Sequence, residues 1–211
     1  MKNLIIIGAR GYGRIVYNIA IDCIEHGGNF RIKGFLDDKL DALDGFEGYP
    51  RILSSVEQYE VQQDDVFICA LGESMYKKKY ANLILNKGGE FISLISPKAY
   101  VQTNVKIGIG CIIGNMSTIA CDTTLGDFVT VLGYANIGHD VTVGSWSHIG
   151  AYVFLGGFSS VGEVCMLQTG AKIIPHKKIE DNAYVGVGSV VLKNVRKDTK
   201  VIGYPAKKIE L

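Results

Sequence analysis

Two kinds of apolar pattern divide this chain. Up to about residue 95 the apolar positions form short unbroken runs alternating with stretches of helical spacing, and beyond it they recur every six residues. Leu4-Ile5-Ile6-Ile7 and Val66 to Leu71 are continuous runs, as expected of strands buried on both faces. Phe30 to Leu36 reads as another strand, ending at Asp37-Asp38, and Phe91 to Ile95 as the last one. Between them, Ile15, Val16, Ile19, Ala20, Cys23 and Ile24 keep helical spacing up to His26-Gly27-Gly28, and Met75 to Asn86 does so up to Gly88-Gly89. Residues 39–53 read as an irregular connection with a short strand, and Ser54 as the cap of a short helix through Tyr59. Strand and helix alternating in this way predict a small parallel sheet with crossover helices, an α/β Rossmann-like domain over residues 1–96.

From Val101 to Val191 every sixth residue is Val, Ile or Leu, without a slip of register. Two places before each sits a small or β-branched residue, from Ala99 to Ser189, broken only by Lys177. Gly follows the aliphatic residue directly in nine of the sixteen units, which the pattern explains as freedom for the backbone angles of a corner. The period predicts a parallel β-helix of hexapeptides, three to a coil, over residues 97–211 with its C-terminal cap. Residues 99–194 make about five coils, some 25 Å at roughly 4.8 Å per coil. After Val195 the pattern fades, and Val201 to Lys208 is expected to fold back over the last coil.

Composition narrows the possibilities. An apolar fraction of 47% is ample for a core, and a net charge of +1 with Lys and Arg scattered argues against a nucleic-acid partner. No apolar run approaches the roughly twenty residues of a membrane span, so no membrane insertion is expected. Lys2-Asn3 leads into a strand-like run rather than a signal-peptide pattern, and a cytoplasmic location is expected. The five cysteines lack paired spacing; Cys111 and Cys165 occupy the small inward column and read as core residues.

Three places could carry chemistry. The first is the turn Gly8-Ala9-Arg10-Gly11-Tyr12-Gly13 after the first strand. It holds Arg10 where the dinucleotide fingerprint has its second glycine, so it serves either as a ligand-free strand-to-helix turn or as a nucleotide site. The strand ends at Arg10-Gly11-Tyr12, Asp37-Asp38 and Gly72 should converge at one sheet edge, where open α/β sheets bind ligands. The second is Gly138-His139-Asp140, at a corner of the β-helix. A neutral imidazole suits proton removal near neutral pH, and an adjacent carboxylate can orient it. Gly157, one coil of eighteen above His139, leaves room and a backbone N–H beside the ring. The third is His148, half a coil from His139, so the two can meet only across a subunit interface. His139, His148 and His176 fall at different phases of the repeat, so no metal is expected.

The glycine turn, Phe35-Leu36-Asp37-Asp38, Gly138-His139-Asp140 within hexapeptides and the tail Gly203-Tyr204-Pro205-Ala206-Lys207 together resemble one family. It is the hexapeptide-repeat nucleotide-sugar and sialic-acid acetyltransferases, the family of the bacillosamine-pathway enzymes. The resemblance covers the whole chain. It implies a left-handed parallel β-helix, a homotrimer, acetyl-CoA as co-substrate in the cleft between neighbouring β-helices, no other cofactor, and a role in polysaccharide biosynthesis. In this reading His139 is the general base, Asp140 raises its basicity, and Gly157 offers its N–H to the thioester oxygen. His148, Thr169 and Val187 then contact acetyl-CoA together with Gly157, and Arg10, Gly11, Tyr12, Asp37, Asp38 and Gly72 hold the nucleotide sugar. Two positions depart from the family: relatives often carry His where Tyr12 stands and Asn where Leu132 stands, near the acceptor amine. The acceptor therefore stays open between the amine of a nucleotide-linked amino sugar and a hydroxyl of sialic acid or another surface sugar. A non-catalytic trimeric scaffold that binds a nucleotide sugar is the alternative of another class.

Overall fold

The computed structural model describes residues 1–209. The chain divides into two compact units, Met1–Leu94 and Ile95–Leu211. In the first, β1 (Lys2–Ile7), β2 (Phe30–Leu36), β3 (Ile52–Ser54), β4 (Asp65–Cys69) and β5 (Glu90–Phe91) form one sheet in the order β3-β2-β1-β4-β5. All its pairings are parallel. Helix α1 (Gly11–Glu25) connects β1 to β2, and α2 (Ser74–Asn86) connects β4 to β5. The apolar runs lie where the sequence places them, because Leu4 to Ile7 and Val66 to Cys69 are buried by neighbours on both sides. A Cβ on Gly13 would come 1.9 Å from the Gly8 carbonyl oxygen, so only glycine lets α1 start this close to the end of β1.

Two expectations here are corrected. Ser54 ends β3, and the chain then makes a single turn rather than a capped helix: the Ser55 hydroxyl accepts the Gln58 N–H at 3.3 Å. The segment Phe91 to Ile95 is not one strand: Glu90–Phe91 pairs with β4, while Leu94–Ile95 is the first strand of the longest sheet of the coil.

The second unit is a parallel β-helix of two-residue strands on three faces. Each strand pairs with the one eighteen residues on, as in Thr118 with Asn136, Thr124 with Thr142 and Thr130 with His148. The aliphatic column and the small column beside it fill the axis together.

The corners show what the glycines do. Every sixth residue from Asn104 to Gly188 has positive φ, three places after each aliphatic residue. Most are not glycine, and Val164 is β-branched, so the coil rather than the residue type imposes this conformation. The glycines that follow the aliphatic column have ordinary angles and are needed for close approach: a Cβ on Gly138 would lie 2.8 Å from the Gly157 nitrogen. The expectation that they relieve corner angles is therefore displaced by two residues. Aromatic side chains at the positive-φ positions stack from coil to coil, Phe128 on Trp146 at 4.1 Å and Tyr134 on Tyr152 at 5.0 Å.

The tail also differs. Lys200–Ile202 adds a further parallel rung, pairing Val185 with Val201 at a spacing of sixteen. Only then does Lys207–Ile209 fold back, antiparallel to it. The hexapeptide pattern fades here because the last coil is two residues shorter, not because the coil has ended.

Candidate active site

His139 stands on the corner after the strand Asn136–Ile137. The peptide groups around it are fixed on every side. The Gly138 N–H donates to the Leu155 carbonyl at 2.8 Å, and the buried Thr123 hydroxyl donates to the Gly138 carbonyl at 2.9 Å. The Phe158 N–H donates to the His139 carbonyl, and the Asp140 N–H to that of Cys121, both at 3.1 Å. His139 Nδ1 lies 2.8 Å from Asp140 Oδ2. Because an ionised carboxylate only accepts, that bond places the ring proton on Nδ1 and leaves the Nε2 lone pair outward. The imidazole meets the Phe158 ring edge-on at 5.1 Å, and Phe158 stacks on His176 at 5.0 Å. A Cβ on residue 157 would come 2.7 Å from Nε2, so glycine keeps the basic nitrogen uncovered.

The other β-helix residues singled out from the sequence form a separate group. Thr169 and Val187 sit one coil apart on another corner, where the Gly188 N–H donates to the Thr169 carbonyl at 2.9 Å. His148 lies on the face that runs into that corner, in the strand His148–Ile149. One prism thus holds His139, Asp140 and Gly157 at one edge and His148, Thr169 and Val187 at another. Cys121, one coil from His139, has its thiol pushed up by the hydrogen bond to Asp122 and makes a poor nucleophile. Among the described residues, no three His, Cys, Asp or Glu side chains gather as a metal would need.

In the first unit the strand ends converge on a cavity of about 500 Å³. Arg10, Tyr12, Asp37, Asp38 and Gly72 line it; Gly11, which opens α1, does not. Arg10, at the N-cap of α1, makes no side-chain cap hydrogen bond. Asp37 is buried, and both its oxygens are engaged, Oδ2 by the Ala9 N–H and Oδ1 by the Lys39 N–H, each at 2.9 Å. Its carboxylate shapes the glycine turn. Sequence reasoning missed Tyr76 and Tyr80, which also line the cavity. Their spacing of four on α2 was the available signal, since it puts both on one helix face.

The chain thus joins a parallel sheet with a glycine turn to a hexapeptide coil that carries an oriented His–Asp pair. Residues 3–84 match the PglD N-terminal domain family and residues 91–196, half of the chain, the GMPPB C-terminal domain family; the chain belongs to the latter. GDP-perosamine N-acetyltransferase of Escherichia coli O157:H7 is 27% identical over 202 residues, 94% of this chain and 81% of that protein. UDP-N-acetylbacillosamine N-acetyltransferase of Bacillus subtilis is 28% identical over 117 residues, 54% of this chain and 51% of that protein. The chain spans about half the length, or less, of two of the curated relatives it matches. The crystal structure of PerB from Caulobacter crescentus, in complex with CoA and GDP-perosamine, superposes with a TM-score of 0.88 at 26% identity. It covers 100% of this chain and 98% of that one.

Proposed function

We propose that this protein transfers the acetyl group of acetyl-CoA to an amino group of a nucleotide-linked amino sugar. One observation carries the reading: His139 Nδ1 is tied to Asp140 at 2.8 Å while Nε2 faces the space that Gly157 leaves open. The acceptor nitrogen attacks the thioester carbonyl as Nε2 removes its proton. The tetrahedral oxyanion meets the Gly157 N–H, and it collapses with loss of the CoA thiolate, which takes the proton from the imidazolium. Asp140 holds the ring in the basic tautomer and steadies its positive charge. No covalent enzyme intermediate is required.

The cavity of the first unit binds the nucleotide, with its phosphates at the glycine turn and Arg10. His148, Thr169 and Val187 contact acetyl-CoA. Nine of the twenty-two lysines and arginines fall between residues 172 and 208, against three acids, so cations gather in the last coils rather than being scattered. That concentration suits the polyanionic end of CoA. Because the His139 and Thr169–Val187 groups occupy different edges of one prism, a complete site takes one group from each of two copies. A homotrimer provides this arrangement three times. Met116, Tyr134 and Tyr152, exposed on one corner, give such a contact an apolar surface. The names of the relatives favour an amine over a hydroxyl as acceptor, and a scaffold would have no use for an oriented His–Asp pair. Among the described residues no helix is long and apolar enough to cross a membrane. We place the reaction in the cytoplasm, in the supply of sugars for surface polysaccharide.

Incubation with acetyl-CoA and nucleotide-linked amino sugars, followed by mass spectrometry, tests the reading. An acetyl group on the sugar nitrogen is expected. Consumption of acetyl-CoA with acetyl on a hydroxyl, or with no acetylated sugar, would overturn it.

A further inference from the structure

The hydrogen bond from His139 to Asp140 does not by itself fix the imidazole. The two side chains are 52% and 41% exposed, so water competes for both partners and the bond holds weakly. The χ2 torsion of a histidine has broad wells, so the ring can turn away from the carboxylate at little cost. Proton transfer does not tolerate this, since a misplacement of about 1 Å can cost a hundredfold in rate.

The corner above supplies a second restraint. Phe158 is 53% exposed, so burial alone does not account for a large aromatic side chain there. Its ring is nevertheless held in place. Phe154 pairs with Asn136 below and Lys172 above, so the coils stand in register and Asp140, Phe158 and His176 follow one another up a single corner. All three have positive φ, 55°, 59° and 61°. The Phe158 N–H donates to the carbonyl of His139 itself, and the His176 N–H to that of Gly157, both at 3.1 Å. His176 stacks on the Phe158 ring at 5.0 Å with the planes 2° apart. Pro175 precedes it, packed so closely on the coil below that a Cβ on Gly156 would lie 2.4 Å from the Pro175 nitrogen. Against this anchored ring the His139 imidazole stands at 90° with the centroids 5.1 Å apart, a favoured arrangement of aromatic pairs. Rotation of His139 about χ2 gives up that contact.

We infer that Phe158, backed by His176, is a positioning residue for acetyl transfer: it holds the His139 ring in the plane that keeps Nδ1 on Asp140 and Nε2 toward the acceptor. The inference rests on the proposed role of His139 as base.

Two readouts test it, one of them without substrate. Imidazole nitrogen chemical shifts of the native protein should show His139 as one tautomer, with its proton on Nδ1, and Phe158→Leu should shift them toward a mixture of the two. In steady-state kinetics Phe158→Leu should lower kcat by about ten- to a hundredfold, with the KM for acetyl-CoA and the melting temperature close to native. Phe158→Tyr keeps the ring and should turn over several-fold faster than Phe158→Leu, and His176→Ala should fall between Phe158→Leu and the native protein. Native kcat and a native tautomer in Phe158→Leu would overturn the inference. So would a raised KM with unchanged kcat, the mark of a ligand contact, or a melting temperature that falls in step with the rate, the mark of a packing residue. A Phe158→Tyr protein as slow as Phe158→Leu would overturn it as well. If the native protein transfers no acetyl group the proposed function falls, while the tautomer of His139 with and without the Phe158 ring still decides this inference.

Discussion

A histidine works as a base only through the nitrogen that lacks a proton, and here the neighbouring residue decides which one that is. Asp140 holds Nδ1 from a positive-φ corner, a conformation that places its carboxylate back against the residue before it. His139→Ala should lower turnover by about a hundred- to ten-thousandfold while acetyl-CoA affinity measured by titration stays close to native. Gly157→Ala should also reduce turnover sharply. Its Cβ would stand 2.7 Å from Nε2, yet the site has no positive φ to strain, so the melting temperature should hardly move. Loss of stability in step with activity would instead make Gly157 a packing residue. Cys121→Ser should leave activity unchanged. The positions of His139, Asp140 and Gly157 could be read in the sequence because a strict period converts residue number into position. Tyr80 could not, since α2 carries no such period and its contact with Asp38 depends on how α2 packs against the strand ends.

The elements around these residues owe their positions to contacts that leave different traces in a sequence. The buried strands were legible because unbroken apolar runs have few other uses, and the coil because its register never slips. The role of the coil glycines was misplaced by two residues, since the period marks a column but not which backbone angle it adopts. Hydroxyls of the inward column brace the corners, and Thr123→Val should cost about 1–3 kcal/mol by stranding the Gly138 carbonyl. Urea unfolding checks this, and a loss of turnover beyond the loss of stability would show that Thr123 also sets the His139 peptide.

At the start of β4, Asp65 accepts from Lys33 at 2.8 Å, Tyr59 at 2.7 Å and the Gln62 N–H at 3.0 Å. Burial works against the charged form of Asp65, but these bonds outweigh it and hold its carboxyl below the usual value. Burial likewise opposes the Lys33 charge, and its bonds to Asp65 and Tyr59 hold its ammonium above the usual value. A lowered carboxyl stabilises the fold fully above its unfolded value and loses that contribution as pH falls through the folded one. A raised ammonium does the reverse, contributing until pH rises through its folded value. Urea midpoints should therefore fall at both extremes of pH, and Asp65→Asn should flatten the acid limb. An unchanged acid limb in that variant would remove Asp65 from the account.

At the scale of the molecule, the proposed function separates binding from chemistry: the cavity of the first unit would hold the nucleotide, and the oriented His139 of the second would act as base. The proposal that each acetyl-transfer site is shared between two copies has a direct consequence. Subunits carrying His139→Ala and subunits carrying Val187→Trp are each inactive in the account, yet mixed oligomers contain sites with both native groups. Co-refolding the two should restore activity well above either alone, and no restoration would place the whole site within one subunit. Sedimentation equilibrium should give three times the mass of the chain. The charge distribution was present in the sequence as well, but its gathering in the last coils matters only once those residues are known to share one end of the prism.

The measurement that bears most directly on the central claim is acceptor-dependent release of free CoA thiol from acetyl-CoA, with uridine- and guanosine-diphosphate-linked 4-amino sugars as acceptors. The native protein should release thiol only when an acceptor is present, and His139→Ala should reduce the rate at least about a hundredfold. Equal rates in the two proteins, or no release with any amino-sugar acceptor, would contradict the account.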